Sequence, residues 1–271
     1  MVRSLWTGAT GMIAQQLNVD NISNNLANVN TTGYKTEVME FKSLLYQTIQ
    51  TKTTTANGAN KPIGAEVGLG VRNSSITSIF TQGSLLETPG VANFAISGNG
   101  FFGVKGADGN TYYTRNGNLA FSLGPEGITL STTDGLPVLS TEGEEIVLDE
   151  DIIVSKITVG DGGVLYYPDE KNVPQSMGMA IGLWQFNNPA GLSKEGDSLF
   201  SVTDASGEAM NEAENEDLQK SELIQGYLEG SNVQIADEMV NLIVAQRAYE
   251  MNSKVITTSD EMLSQANQLK R

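Results

Sequence analysis

Ile235, Leu242, Tyr249, Ile256 and Leu263 stand seven residues apart near the end of the chain. A second row, Ala248, Val255, Met262 and Leu269, runs one residue behind it. A seven-residue repeat held this long restricts the segment to a helix with a face that other helices must cover. Two adjacent rows make that face broad enough for more than one helical partner. The spacing predicts a helix from about 233 to 269, roughly 55 Å long at 1.5 Å per residue. Ser231-Asn-Val-Gln234 reads as a capping box, with the glutamine reaching back to the cap. Lys270 and Arg271 suit the negative end of the helix dipole.

The other end of the chain carries the same period. Leu5, Met12, Val19 and Leu26 are each seven apart, with Ala9, Gln16 and Ser23 between them. Ser4 is placed to cap this helix. Asn28-Val-Asn-Thr-Thr-Gly33 is placed to end it. The seam is rich in amides: Asn18, Asn21, Asn24, Asn25 and Asn28 crowd its last turns. Asparagine competes with the backbone for hydrogen bonds, so this helix needs partners that accept its amides.

Charge divides the chain into compartments. Of 16 Lys+Arg and 32 Asp+Glu, residues 1–70 hold 5 basic and 4 acidic, and residues 231–271 hold 4 basic and 5 acidic. The remaining 7 basic and 23 acidic residues all lie between 71 and 230. Near-neutral ends can pack against copies of themselves, while a middle of one sign repels its like and faces water. An acidic chain is poorly suited to phosphate, which argues against nucleic acid as a partner. There is no His and no Cys. That excludes imidazole general bases, thiol nucleophiles, disulfides and thiolate metal sites. No cofactor, metal or small-molecule substrate is expected. No apolar run is long enough to span a bilayer, and the start of the chain lacks the apolar core of a cleaved secretory signal.

The middle has the grammar of β-hairpins. Asn99-Gly100, Asp108-Gly109, Asn116-Gly117, Asp134-Gly135 and Asp161-Gly162 punctuate apolar or alternating runs. The runs include Phe94–Ile96, Phe101–Val104, Tyr112–Arg115, Glu145–Leu148 and Ile152–Val154, and Ala180–Phe186 reads as a buried strand. Thr51–Gly58 reads as part of an extended or flexible connector. Gly98-Asn-Gly-Phe-Phe-Gly103 matches the dinucleotide fingerprint, but a β run rather than a helix follows it, so the phosphate-binding mechanism is missing. The carboxylates from Glu142 to Asp151 lack the spacing of a calcium loop.

These readings define an α+β fold: paired long N- and C-terminal helices forming a coiled-coil-like assembly domain, plus a central all-β domain. The expected divisions are residues 1–35 (N-terminal helix), 36–75 (connector), 76–230 (acidic β domain) and 231–271 (C-terminal helix).

The motifs, in order, resemble those of the flagellar axial proteins of the bacterial basal body, rod and hook. Asp20-Asn-Ile-Ser-Asn-Asn-Leu-Ala-Asn-Val-Asn-Thr-Thr-Gly-Tyr-Lys35 is similar to the family's signature segment. Val91–Phe102 resembles its first β motif, and Tyr113–Gly117 its next hairpin. Gly230–Val233, with Gln246-Arg-Ala-Tyr249-Glu-Met-Asn252-Ser-Lys254, resembles its C-terminal helix. Within the family, the chain length and the stretch from Phe41 to Thr48 with its connector point to the distal-rod members.

The resemblance implies a structural protein rather than an enzyme. It implies a distal-rod subunit that assembles with itself into a hollow helical tube and transmits torque from motor to hook. The implied partners are other rod subunits, hook subunits, surrounding bushing rings and the flagellar type III export apparatus. The implied location is the periplasmic rod of the basal body, reached without a cleaved signal. The expected assembly interface comprises Leu5, Met12, Val19, Asn21, Asn24, Asn25, Leu26 and Asn28 with Ile235, Leu242, Gln246, Tyr249, Asn252, Ile256 and Leu263. Two alternatives stay open at this point: a hook-type or proximal-rod subunit, and an acidic carbohydrate-binding or adhesive β protein with helical oligomerisation ends.

Overall fold

The computed structural model describes residues 2–50, 65–124, 127–149, 152–160, 162–169, 173–215 and 218–269. The chain divides into two compact units. The first contains residues 1–27, 37–77 and 234–271; the second contains residues 28–36 and 78–233. Thr51–Gly58 of the expected connector, and Lys270 and Arg271, lie outside the described residues.

In the first unit two long helices pack on each other: α1 (Val2–Ala27) and α2 (Ile235–Gln268). They run antiparallel, since Ser4 meets Ser259 at one end and Asn25 meets Glu238 at the other. A β-ribbon joins them, made of β1 (Glu37–Ser43), β2 (Tyr46–Gln50), β3 (Ala65–Gly68) and β4 (Val71–Ser78). β1 pairs with β4, and β2 with β3. The Leu44 and Leu69 amides bridge the two halves by donating to the carbonyls of Gly70 and Leu45. The ribbon exposes Phe41, Leu45, Tyr46, Ile49 and Ile76.

Both expected caps need correction. Helix α1 already begins at Val2, which puts Ser4 inside it, where its hydroxyl bonds Ser259 across the helix pair instead of capping. At α2 the cap position is Gln234, without a side-chain cap bond. Ser231 instead accepts from the Val233 amide, two residues on, and Asp237 and Glu238 supply the negative charge of the first turn.

The second unit is β-rich. Among the described residues its largest sheet has six strands in the spatial order 193–196, 199–201, 111–114, 101–105, 183–185 and 210–211, all paired antiparallel. Side chains alternate across it with the period of two that a strand imposes. Phe102 and Val104 face one core with Phe94, Ile96, Leu130, Ile146, Leu165 and Ile181. Phe101 faces the other with Tyr113, Trp184, Phe186 and Phe200. The aromatic rings of that second core meet edge to face, as between Tyr113 and Phe186, whose centroids are 4.9 Å apart.

Two local expectations resolve here. The fingerprint Gly98–Gly103 opens a strand, Phe101–Lys105, and no helix follows. Its glycines serve packing: a Cβ on Gly103 would stand 2.4 Å from the Trp184 ring, and one on Gly100 2.6 Å from the Glu212 carboxylate. Ile152–Val154 is not a strand, because the chain tightens into a 3₁₀ turn at Val154–Lys156. Ile153 is exposed there, so no second strand face is buried to hold the run extended.

Candidate assembly surface

The contact between α1 and α2 brings small and polar side chains together with Ile256. Ser4 and Ser259 hydroxyls are 3.0 Å apart. A Cβ on Gly8 would lie 3.0 Å from Ile256 Cγ1, and one on Gly11 2.8 Å from Asn252 Nδ2, so both glycines let α2 come close. At the far end Asn25 Nδ2 donates to Glu238 Oε1 at 3.3 Å. The residues turned inward on α2 are Glu238, Ala245 and Ser259, all buried, with half-buried Asn252 between. These four are themselves seven apart, as are Ser4, Gly11, Asn18 and Asn25 on α1. Rows of small and polar residues escape a search for apolar periodicity, although the spacing is plain in the sequence.

The amides pin α1 to the ribbon. Asn21 and Asn25 Nδ2 both donate to the Glu37 carbonyl at 2.8 Å, and the Glu37 amide donates back to Asn25 Oδ1 at 2.9 Å. Burial raises the pKa of Glu238; the hydrogen bond from Asn25 opposes the shift and the Asp237 charge adds to it.

The expected interface residues fall into groups. Asn21 and Asn25 are buried and serve the bonds just described. Leu5, Met12, Val19, Leu26 and Asn28 on the N-terminal side, and Leu242, Asn252, Ile256 and Leu263 on α2, are half-buried. Ile235, Gln246 and Tyr249 are exposed, as is Asn24. Val19 and Gln16 line a shallow groove together with Gln246, Tyr249 and Glu250. Asn28 turns back on Thr31, whose amide and hydroxyl both donate to it.

Each helix also exposes a row of apolar side chains. On α2, Val244, Met251, Val255 and Met262 are exposed at 62, 63, 44 and 46 %. Val244 and Met251 are seven apart, and so are Val255 and Met262. On α1, Trp6, Ile13 and Leu17 are exposed at 66, 61 and 44 %. Exposed apolar rows of this extent mark a surface that another protein covers.

The end of the signature segment is anchored inside the second unit by buried charge. Lys35 Nζ lies 2.6 Å from Glu229 Oε1 and donates also to the Thr81 carbonyl. Arg115 Nη1 approaches Glu229 Oε2 at 3.6 Å, and its Nη2 donates to the Gly98 carbonyl. Burial lowers the pKa of both cations, with Glu229 opposing the shift in each. Gly33 has φ +70°, and a Cβ there would sit 2.7 Å from the Arg115 carbonyl carbon. Asn232 Oδ1 accepts from both the amide and the hydroxyl of Thr36. Sequence reasoning missed the Lys35–Glu229–Arg115 cluster, since its members are remote in the chain and belong to no local motif.

Among the described residues, no group of carboxylates is placed to hold a metal ion and no helix is long and apolar enough to cross a membrane. Three stretches match known families: residues 5–35 that of the flagella basal body rod protein, residues 95–167 the flagellar hook protein FlgE/F/G D1 domain, and residues 224–269 the flagellar basal body rod FlgEFG protein C-terminal. Over the full length of both chains it is 44 % identical to the flagellar basal-body rod protein FlgG of Borreliella burgdorferi.

The chain belongs to the FlgG family of flagellar basal-body rod proteins.

Its likeness to the FlgG of Caulobacter vibrioides is 43 % over 99 % of this chain and all of that one. It is also 33 % identical, end to end, to the flagellar hook-basal body complex protein FlhP of Bacillus subtilis. The FlgG family is a structural one, and its two terminal matches cover most of α1 and α2.

Proposed function

We propose that the chain is a structural subunit of the flagellar distal rod, one that polymerises into a hollow helical tube and carries torque from the motor to the hook. One observation carries this reading: α2 turns Glu238, Ala245 and Ser259 inward and leaves Val244, Met251, Val255 and Met262 outside. A helix pair that satisfies its polar groups internally and exposes its apolar rows is built to be covered by further helices. The α2 row and the Trp6–Ile13–Leu17 row of α1 are different surfaces of one chain. Pairing unlike surfaces gives a heterologous contact, which extends as a filament when it does not close into a ring.

In this reading residues 1–35 and 231–271 form the coiled-coil-like assembly domain, residues 36–75 connect neighbouring subunits, and the acidic residues 76–230 face outward. The half-buried leucines and Met12, Val19 and Ile256 brace the helix pair. Asn21 and Asn25, with Asn252, set its register, and Asn24, Asn28 and Gln246 belong to the wider assembly interface. Ile235 and Tyr249 belong to the contact with other copies. The rod and hook subunits, the bushing rings and the type III exporter are the further partners, and the periplasmic rod is the location.

Complementation tests the proposal. In a non-motile strain lacking its own FlgG, this chain should restore swimming and rod formation. Val255→Asp, expressed and exported at the same level, should restore neither. Full motility with Val255→Asp would contradict the proposal.

A further inference from the structure

The chain has nine methionines and no cysteine, so the thioether is its sulfur chemistry. The methionines are not equally placed. Met39 is buried at 7 % exposure, and Met12, Met177, Met179 and Met210 are half-buried. Among the described residues the exposed ones are Met239, Met251 and Met262, and all three lie on α2. Met251 and Met262 belong to the outward row with Val244 and Val255; no side chain of their own unit shields them to the extent that Met39 is shielded.

We propose that Met251 and Met262 are oxidation sites, and that their conversion to sulfoxides by a peroxide closes the free subunit to self-assembly. The proposal rests on the assembly reading above. The thioether sulfur attacks hydrogen peroxide and takes one oxygen atom. The O–O bond breaks, sulfur is oxidised by two electrons, and the second oxygen leaves as water. Each sulfoxide replaces a flexible apolar tip with a polar acceptor. Burial of that acceptor between helices without a donor opposes association. Incorporated subunits have the same sulfurs covered, so the polymer resists what the free subunit does not.

The test uses the full chain, treated with graded hydrogen peroxide before assembly. Peptide mass mapping should show Met251 and Met262 gaining about 16 Da each, on the order of tenfold faster than Met39, because exposure sets susceptibility. Sedimentable polymer should fall by about the same factor as the two sulfoxides form. The double variant Met251→Leu/Met262→Leu keeps apolar volume and should polymerise before and after peroxide. Oxidation of Met251 and Met262 no faster than Met39 would overturn the proposal. So would undiminished polymer from doubly oxidised subunits, or a double variant as peroxide-sensitive as the original. Untreated chain that never polymerises would instead sink the assembly reading on which the proposal stands.

Discussion

Asn25 and Glu37 exchange two hydrogen bonds, the Asn25 amide donating to the Glu37 carbonyl at 2.8 Å and the Glu37 amide returning to Asn25 Oδ1 at 2.9 Å. A helix side chain thus pairs with the first residue of a strand as a neighbouring strand would. The same amide reaches Glu238 on α2, so one residue ties α1, α2 and the ribbon together.

Asn25→Ala takes from the Glu37 amide its bond to Asn25 Oδ1, in a site that is 1 % exposed at Asn25, while the Glu37 carbonyl keeps the Asn21 amide. Loss of about 1–3 kcal/mol is expected for buried groups left unsatisfied. Thermal unfolding should show it. Asn25→Asp should fare no better, because it removes the donor and places a second carboxylate beside Glu238. Stability equal to the original in both variants would contradict the role given to this amide.

Gly11 opposes two effects that a double-mutant cycle separates. Alanine there gains about 1 kcal/mol of helix propensity but puts its Cβ against Asn252. Gly11→Ala should therefore be neutral or destabilising alone, and stabilising in an Asn252→Ala background. The coupling should be about 1–2 kcal/mol. Additive effects would mean that the two residues do not control the approach of the helices.

Glu238 gives the first unit a pH dependence whose sign is set by its raised pKa. The folded chain holds the proton more tightly than the unfolded chain. Stability from this group therefore grows as pH falls through the raised value towards 4.5, the ordinary carboxylate value, and is lost as pH rises again. Glu238→Gln keeps the acceptor for Asn25 and cannot ionise. The difference in melting temperature between variant and original should favour the variant at neutral pH and shrink on acidification. A difference that grows on acidification would contradict the assignment.

Glu229 is the counter-ion for two buried cations. Glu229→Gln leaves Lys35 and Arg115 without it, and about 3–5 kcal/mol of stability should be lost. Chemical denaturation of the full chain, followed by Trp184 in the second unit, would read this. A loss below about 1 kcal/mol would show that the pair contributes as weakly as a surface ion pair.

Much of this fold is legible in the sequence because its parts have strong periods. The heptads of Leu5–Leu26 and Ile235–Leu263 mark helices, and the Asn-Gly and Asp-Gly turns mark the β middle. The sidedness of the helices is less visible. Apolar rows draw attention as the obvious interior, yet Ser4, Gly8, Gly11 and Ser259 lie in the helix–helix contact and Val244, Met251 and Val255 stay outside. Small side chains allow backbones to approach but carry no hydrophobic signal. The caps failed for a related reason: Ser4 and Ser231 have the right hydroxyl, but tertiary partners and a local turn claim it first.

The outward apolar rows of α1 and α2 are proposed as contacts between copies of this chain. Sedimentation and electron microscopy of the purified full-length chain, beside Val255→Asp, test it most directly. Val255 is 44 % exposed, so the change should leave circular dichroism and melting of the free subunit as they were. The original chain should form concentration-dependent tubes and the variant none. Tubes formed equally well by Val255→Asp, or a free subunit that the substitution unfolds, would contradict it.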